Sequence, residues 1–320
     1  MHSIKLIRTN PDFFIKKLGE RNIKVNLVSL INLDKKYREL IQKREKLEQE
    51  KKQISKKKEK SLFEKSKEIS KEIIIINNEE IKLKIEIDNL LSALPNVALD
   101  DVPVGKDEKS NKEIKKVGKL PKFDFTPKSH YDIGKNLKLI DFDTATKTSG
   151  SRFVFLKGDF ALLERAISNF MLDFHTKKFG YQEISPPLIV NDSSMFGTGQ
   201  LPKFENDQFE IKLESEKTRK FLIPTAEVVL TNLVRDSFVQ KEELPLRFTA
   251  STACFRKEAG SYGKDTKGMI RQHQFYKVEM VSIVEKEQCL EELERMTNCA
   301  TEILDDLGLP YRKMILCSGD

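Results

Sequence analysis

The chain has 320 residues, with 57 Lys and Arg against 50 Asp and Glu for a formal net charge of +7. This length accommodates two or three domains and a core large enough for an enzyme, while the longest strongly apolar run, the isoleucines at 73–76, falls far short of a membrane span. The opening segment MHSIKLIRTNPDFF lacks the apolar stretch of a secretion signal. Cys254, Cys289, Cys299 and Cys317 show no C-x-x-C spacing, which argues against a disulfide framework or a structural zinc and for the reducing cytoplasm. His2, His130, His175 and His273 are scattered, and no metal site is argued from them.

Residues 1 to about 30 read as a short lead-in, with Asn10-Pro11-Asp12 starting a helix whose apolar face is Phe13, Phe14 and Leu18. Then Leu33, Tyr37, Leu40, Arg44, Leu47, Lys51 and Ile54 follow alternating spacings of four and three. Leu62, Ser66, Ile69, Ile73, Ile76, Glu80, Leu83, Ile87, Leu90 and Leu94 do the same. Two heptad-patterned helices with a reversal near 58–65 predict an antiparallel coiled-coil hairpin over about 30–94, each helix projecting roughly 45 Å. Residues 35–60 carry 12 basic and 5 acidic side chains, a net +7 equal to that of the whole chain. Such a basic element suggests a foot for a polyanion; a solvated lysine-rich helix accounts for the same composition. An arm this thin encloses no pocket, and periodicity alone favours dimerisation or spacing.

Leu94-Pro95-Asn96 ends the second helix, since proline cannot continue it. A mixed, turn-rich stretch follows, and SGSRFVFLKG at 149–158 opens the body. Between 161 and 179, Leu162, Leu163, Ala166, Ile167, Phe170, Met171 and Phe174 mark an amphipathic helix, and GYQEISPPLIV at 180–190 reads as a strand ended by proline. GTGQLPKF at 197–204 is glycine-rich, but no Gly-Lys-Ser/Thr follows, so a P-loop is rejected. In LIPTAEVVL at 222–230, Thr225 reads as a helix N-cap and Glu227 as a first-turn acid favoured by the dipole; the same pair could offer a hydroxyl and a carboxylate to an ammonium group.

Strands are read at 248–255 and 274–281, joined by a loop holding Gly260, Gly263 and Gly268 among Lys257, Lys264, Lys267 and Arg271. On a pleat Arg256 and Glu258 share one face, and Arg271, His273, Phe275, Lys277 and Glu279 share a face of the returning strand. If those faces meet, they form a floor of guanidinium forks, an aromatic plate and carboxylates, suited to carboxylate or phosphate oxygens. Alternation alone favours the simpler picture of an amphipathic hairpin with a solvated charged face.

FRKE at 255–258, the glycine-rich loop and RQHQFYKVE at 271–279 closely resemble motif 2 of class II aminoacyl-tRNA synthetases, in the form carried by bacterial-type seryl-tRNA synthetases. The helix and strand at 161–190 resemble motif 1 of that class, and GTGQLPKF, the T-x-E triplet and the connector LPNVALDDVPVGKDEKSN at 94–111 are similar to the family's own. The resemblance implies an α+β fold: a tRNA-binding domain at 1–100 bearing the coiled-coil arm, a connector and start of the body at 101–150, and a class II catalytic domain at 151–320 whose antiparallel β-sheet is flanked by helices. It implies a cytoplasmic homodimeric ligase without membrane attachment, whose partners are serine, ATP with Mg²⁺, and tRNA(Ser), with tRNA(Sec) left open.

By the same resemblance, Arg256 is the catalytic residue, bridging the serine carboxylate and the α-phosphate. Thr225, Glu227, Arg256 and Glu279 hold serine; Arg256, Lys257, Glu258, Arg271, Gln272 and Phe275 bind ATP; Lys43, Arg44, Lys51, Lys52, Lys56 and Lys57 contact tRNA. No stretch resembles motif 3, so the chain is expected to be C-terminally truncated before it, to lack the family's Mg²⁺-binding acid and to adenylate serine poorly or not at all. Two alternatives stand beside the ligase: a non-catalytic tRNA-binding or dimerising fragment, and an enzyme loading an amino acid onto a carrier protein. The long arm argues against the latter.

Overall fold

The computed structural model describes residues 2–57, 62–214, 218–259 and 268–320, and the chain divides into two compact units, 1–116 with 312–320, and 117–311.

In the first unit α1 (Ile4–Thr9) and α2 (Pro11–Glu20) lead into the long helices α3 (Leu27–Lys57) and α4 (Phe63–Ser92). Ile7, Phe14, Leu18, Leu27, Leu30, Ile87 and Leu91 make the core at the base of the hairpin. Phe13, expected on this face, is exposed and meets Phe14 edge-on, because neighbouring helical positions point about 100° apart and only one can face inward. Along the arm the heptad positions of α3 are half-buried, and Ile69, Ile76, Glu80 and Ile87 of α4 are buried. Near the base Leu91 replaces the expected Leu90, as a straight helix drifts against a strict seven-residue repeat. Arg44 Nε donates to Glu80 Oε1 of the facing helix at 2.8 Å, and its NH1 to Glu48 at 2.8 Å. The reversal expected near 58–65 lies partly outside the described residues. A strand β1 (Lys112–Val117) pairs with the chain's last strand, Tyr311–Ile315.

The second unit runs α5 (His130–Asn136), β2 (Ile140–Asp141), α6 (Phe142–Ser149), β3 (Phe155–Leu156), α7 (Asp159–Asp173), β4 (Gln182–Glu183), β5 (Ile189–Asn191), α8 (Asp192–Gly197), β6 (Glu210–Ile211), β7 (Lys220–Leu222), α9 (Glu227–Thr231), β8 (Leu246–Phe255), β9 (Gln274–Ile283) and α10 (Cys289–Asp306). β8 and β9 pair antiparallel over their whole length, from Leu246↔Ile283 to Phe255↔Gln274, and β4 joins β8 in parallel. A second sheet has the order β5-β7-β6. Ala226, the N-cap of α9, and Leu230 within it pack on Phe248, Ala250 and Val281, so α9 is seated on the large hairpin. The small side chain of Ala250 is what allows this close approach. Arg247 of β8 grips Glu292 of α10 with two bonds of 2.7 Å.

The amphipathic helix expected at 161–179 is α-helical at Asp159–Asp173 and continues as a π-turn at Phe174–Lys178. Its apolar side is not inside this chain: α7 has no buried residue, and Leu162 and Leu163 are each 53% exposed.

Candidate active site

The β8–β9 hairpin sets the site. Past the last strand pair, the Arg256 N–H donates to His273 O at 3.0 Å, and then the chain peels away, with Lys257 N–H donating to Asp207 O at 2.8 Å. Glu258 adopts a left-handed backbone, φ 51°. The expected pleat therefore does not govern Arg256 and Glu258: both lie beyond β8, as Arg271 and His273 lie ahead of β9. A turn, not strand alternation, brings Glu258 to the same wall as Arg256.

That wall encloses a cavity of about 420 Å³ lined by Gln200, Phe204, Asp207, Gln208, Pro224, Arg256, Glu258 and Arg271. Arg271 NH1 donates to Glu258 Oε2 at 2.8 Å. Arg256 Nε donates to Pro224 O at 3.2 Å, and its guanidinium lies over Phe275, 5.3 Å from the ring centroid. The carbonyl and the ring face together fix the plane of the fork. Gln208 Oε1 and Arg271 Nε are buried without a hydrogen-bond partner, a costly condition that a polar ligand could relieve.

Directly after Pro224 comes a second cluster, centred on Thr225. Its Oγ1 accepts from the Glu227 N–H at 3.2 Å and from Lys277 Nζ at 2.7 Å. It donates to the Glu279 carboxylate, which is also ion-paired with Lys277. The N-cap of α9 is Ala226, not Thr225 as expected: Thr225 stands one residue ahead of the cap, and its hydroxyl meets the Glu227 N–H from there while also joining the cluster. Burial first, and then the charge of Glu279, push the Glu227 carboxyl above its usual range, opposed by Lys277 and Arg256. A hydroxyl with two carboxylates is a set of partners that an ammonium group takes, and Lys277 supplies one from within the protein.

The remaining expected residues are placed as follows. Lys257 is exposed, its Nζ 5.8 Å from the centroid of Phe209. Gln272 is buried, with Nε2 lacking a partner, and lines with Phe275 a different cavity of about 330 Å³. His273 is a prop: Nδ1–H donates to Arg256 O at 2.9 Å, and the ring packs against Phe153 and Phe209. Burial pushes the Cys254 thiol up, which makes it a poor nucleophile. Gly260, Gly263, Lys264 and Lys267 of the loop lie outside the described residues. In the arm, Lys43 pairs with Glu72 at 2.7 Å, Arg44 faces Glu80, Lys51 is half-buried, and Lys52, Lys56 and Lys57 are exposed. Among the described residues no three His, Cys, Asp or Glu converge on a cation position.

Four contributors carried no assigned role in the sequence. Lys277 is on the right face of the returning strand, but alternation does not say what it bonds. Gln200 lies within GTGQLPKF and Arg152 within SGSRF, so both had a motif as a signal. Asp207 had none.

Residues 1–98 match the family model described as the seryl-tRNA synthetase N-terminal domain, and residues 209–320 match that of the tRNA synthetase class II core domain (G, H, P, S and T). The chain is 62% identical over 320 residues to the serine–tRNA ligase of Pelagibacter ubique, covering 100% of this chain and 76% of that protein. It is 49% identical over 330 residues to that of Wolbachia pipientis, with the same coverage of 100% and 76%. A crystal structure of seryl-tRNA synthetase from Pyrococcus horikoshii complexed with ATP superposes with a TM-score of 0.89 at 34% identity, covering 100% of this chain and 78% of that one. The cytoplasmic serine–tRNA ligase of Naegleria fowleri in complex with AMP gives a TM-score of 0.83 at 29% identity over 97% and 72%. Identity at this level over the whole length of the chain means that it belongs to the seryl-tRNA synthetase family of class II.

Proposed function

We propose that this chain joins serine to tRNA(Ser) in two steps, with tRNA(Sec) a further acceptor. A serine carboxylate oxygen attacks the α-phosphorus of ATP and the bond to the β-phosphate breaks, releasing pyrophosphate. A hydroxyl of the terminal tRNA ribose then attacks the seryl carbonyl, and AMP departs. Neither step needs a protein nucleophile, so positioning and charge stabilisation supply the rate.

The observation that supports this reading most is the adjacency of two differently charged sites along Pro224-Thr225. The arginine-lined cavity suits phosphates, and the Thr225, Glu227 and Glu279 cluster suits an amino acid's ammonium and hydroxyl. Arg256, held between Pro224 O and Phe275, would bridge the serine carboxylate and the α-phosphate as charge builds on the pentavalent phosphorus. Arg271 and Glu258 would meet the nucleotide, with Phe275 offering an aromatic face, and Lys257 and the backbone at Gln272 would approach it from outside the residues that line the cavity. Thr225, Glu227 and Glu279 would take the serine amino and hydroxyl groups, Lys277 giving way. A site built around a substrate hydroxyl leaves polar groups unpaired when alanine enters, a penalty of roughly 1–3 kcal/mol.

Mg²⁺ would arrive as the counter-ion of the triphosphate. The carboxylates that line the cavity are already engaged, Glu258 by Arg271 and Asp207 by the Ala259 N–H, so the described residues do not form a cation cage and no step is derived through the metal. Lys52, Lys56 and Lys57 would meet tRNA phosphates, a shape-led and salt-sensitive contact. The apolar side of α7, uncovered within one chain, would be closed by a second copy. Such an enzyme acts where tRNA and ATP are found, in the cytoplasm; among the described residues no helix is long and apolar enough to cross a membrane.

The test is ATP–pyrophosphate exchange on this chain with serine, alanine or threonine. Exchange is expected with serine alone and at a low rate, as no stretch here resembles motif 3. Absence of serine-dependent exchange would overturn the activation step, and retained tRNA binding in that case would leave a tRNA-binding fragment.

A further inference from the structure

The turn that presents Glu258 is held from outside the hairpin. Lys257 N–H donates to the backbone carbonyl of Asp207 at 2.8 Å, and Ala259 N–H donates to the Asp207 carboxylate oxygen Oδ1 at 2.8 Å. One residue thus grips the backbone on both sides of Glu258. Between these bonds Glu258 has φ 51°, a conformation that disfavours a side-chain-bearing residue and persists only where the surroundings over-determine it. Arg152 NH1 adds a bond to Glu258 O at 3.1 Å. Asp207 is itself anchored, ending the 3₁₀ turn Glu205–Asp207, with Gln208 Nε2 donating back to Phe204 O at 3.0 Å and Glu205 paired with Arg219 at 2.6 Å. The result is that the Glu258 carboxylate points back to Arg271 on the cavity wall instead of continuing outward with the departing strand.

We propose that Asp207 is a positioning residue for nucleotide binding, holding Glu258 in its left-handed turn so that the Glu258–Arg271 pair is preset for ATP. The inference rests on the reading of this cavity as the nucleotide site. It assigns to Asp207 an effect on ATP that serine does not feel, since the Thr225 cluster is built from other elements. The position of the acceptor at Oδ1 for the Ala259 N–H sets the turn, and the charge strengthens that bond.

The experiment measures ATP affinity by calorimetry and the KM values for ATP and serine by pyrophosphate exchange, on the full chain and on Asp207→Ala, Asp207→Asn, Glu258→Ala and the double variant Asp207→Ala/Glu258→Ala. Asp207→Ala should weaken ATP binding about tenfold, as expected for loss of a charge-assisted hydrogen bond, with the serine KM unchanged. Asp207→Asn, which keeps the acceptor, should restore most of that loss. In the Glu258→Ala background the Asp207 substitution should change ATP affinity by less than about twofold, because the group it positions is gone. Equal losses for ATP and serine, no rescue by asparagine, or a full tenfold effect without Glu258 would each overturn the inference. Failure of the unaltered chain to bind ATP at all would instead refute the reading of the cavity on which the inference rests.

Discussion

Replacing Arg44 by alanine separates two roles that basic residues in the arm could have. Arg44 Nε bonds Glu80 across the hairpin at 2.8 Å, with the Glu80 side chain 9% exposed and that of Arg44 24%. Removing one partner of a fully buried pair costs about 3–5 kcal/mol, and an exposed pair contributes about 0.2–1 kcal/mol. With one partner sealed and the other a quarter open, Arg44→Ala should destabilise the arm by about 2 kcal/mol, chiefly by leaving the Glu80 carboxylate uncompensated. Replacing both residues by leucine should be near neutral in stability, since a packed apolar layer substitutes well for a buried pair. Lys52→Ala, Lys56→Ala and Lys57→Ala should leave stability unchanged, but each should lower the slope of log affinity for tRNA against log salt by about 0.7–0.9. Hydrogen exchange of the arm amides in the full chain gives the first quantity, and filter binding across salt concentrations the second. If Arg44→Ala lowers the salt slope as the lysines do and leaves amide protection intact, Arg44 is an RNA contact and its pairing with Glu80 does not stabilise the arm.

The remaining predictions concern the catalytic unit. The Glu227 carboxyl is raised by burial and by Glu279, so serine affinity should fall as pH drops through that raised pKa, where Glu227 gains a proton and loses its charge. Glu227→Gln should flatten this dependence in a pH series of serine KM values. Lys277 opposes that rise and bonds both Thr225 and Glu279. Lys277→Met should therefore move the pH midpoint upward and lower the serine KM by removing a competing ammonium; an unchanged midpoint would show that Lys277 is not coupled to Glu227. Glu292 is held below its usual range mainly by the Arg247 bond, so its contribution to stability is present above the unfolded carboxyl pKa and is lost as pH falls through the depressed one. Glu292→Ala should cost about 1–3 kcal/mol near neutral pH, read by denaturant melts. Leu163→Glu on the uncovered side of α7 should turn a dimer into a monomer in sedimentation equilibrium without lowering the melting point of the single chain.

Local pattern determined much of this protein. Heptad spacing from Leu33 to Ile54 and from Ile69 to Ile87 yields the arm, because burial along a helix repeats with its turn. The runs at 248–255 and 274–281 yield the two central strands, and the strings around Arg256 and Thr225 carry the family resemblance. Pairings between distant residues were decided by the tertiary structure. The register of the hairpin and the seating of α9 bring Lys277 to Thr225, 52 residues away in sequence. The facing of α3 and α4 brings Arg44 to Glu80, 36 residues away. Alternation expected Glu258 to follow the pleat, but two hydrogen bonds that Asp207, 51 positions upstream, accepts from its neighbours Lys257 and Ala259 hold it at φ 51°. Amphipathicity marked the apolar side of α7, but only the fold reveals that, among the described residues, Leu162 and Leu163 of that side stay exposed. Periodicity records which side of an element avoids water, whereas which partner a polar group finds depends on how the elements are set against one another, a choice made by packing and hydrogen-bond satisfaction over the whole unit.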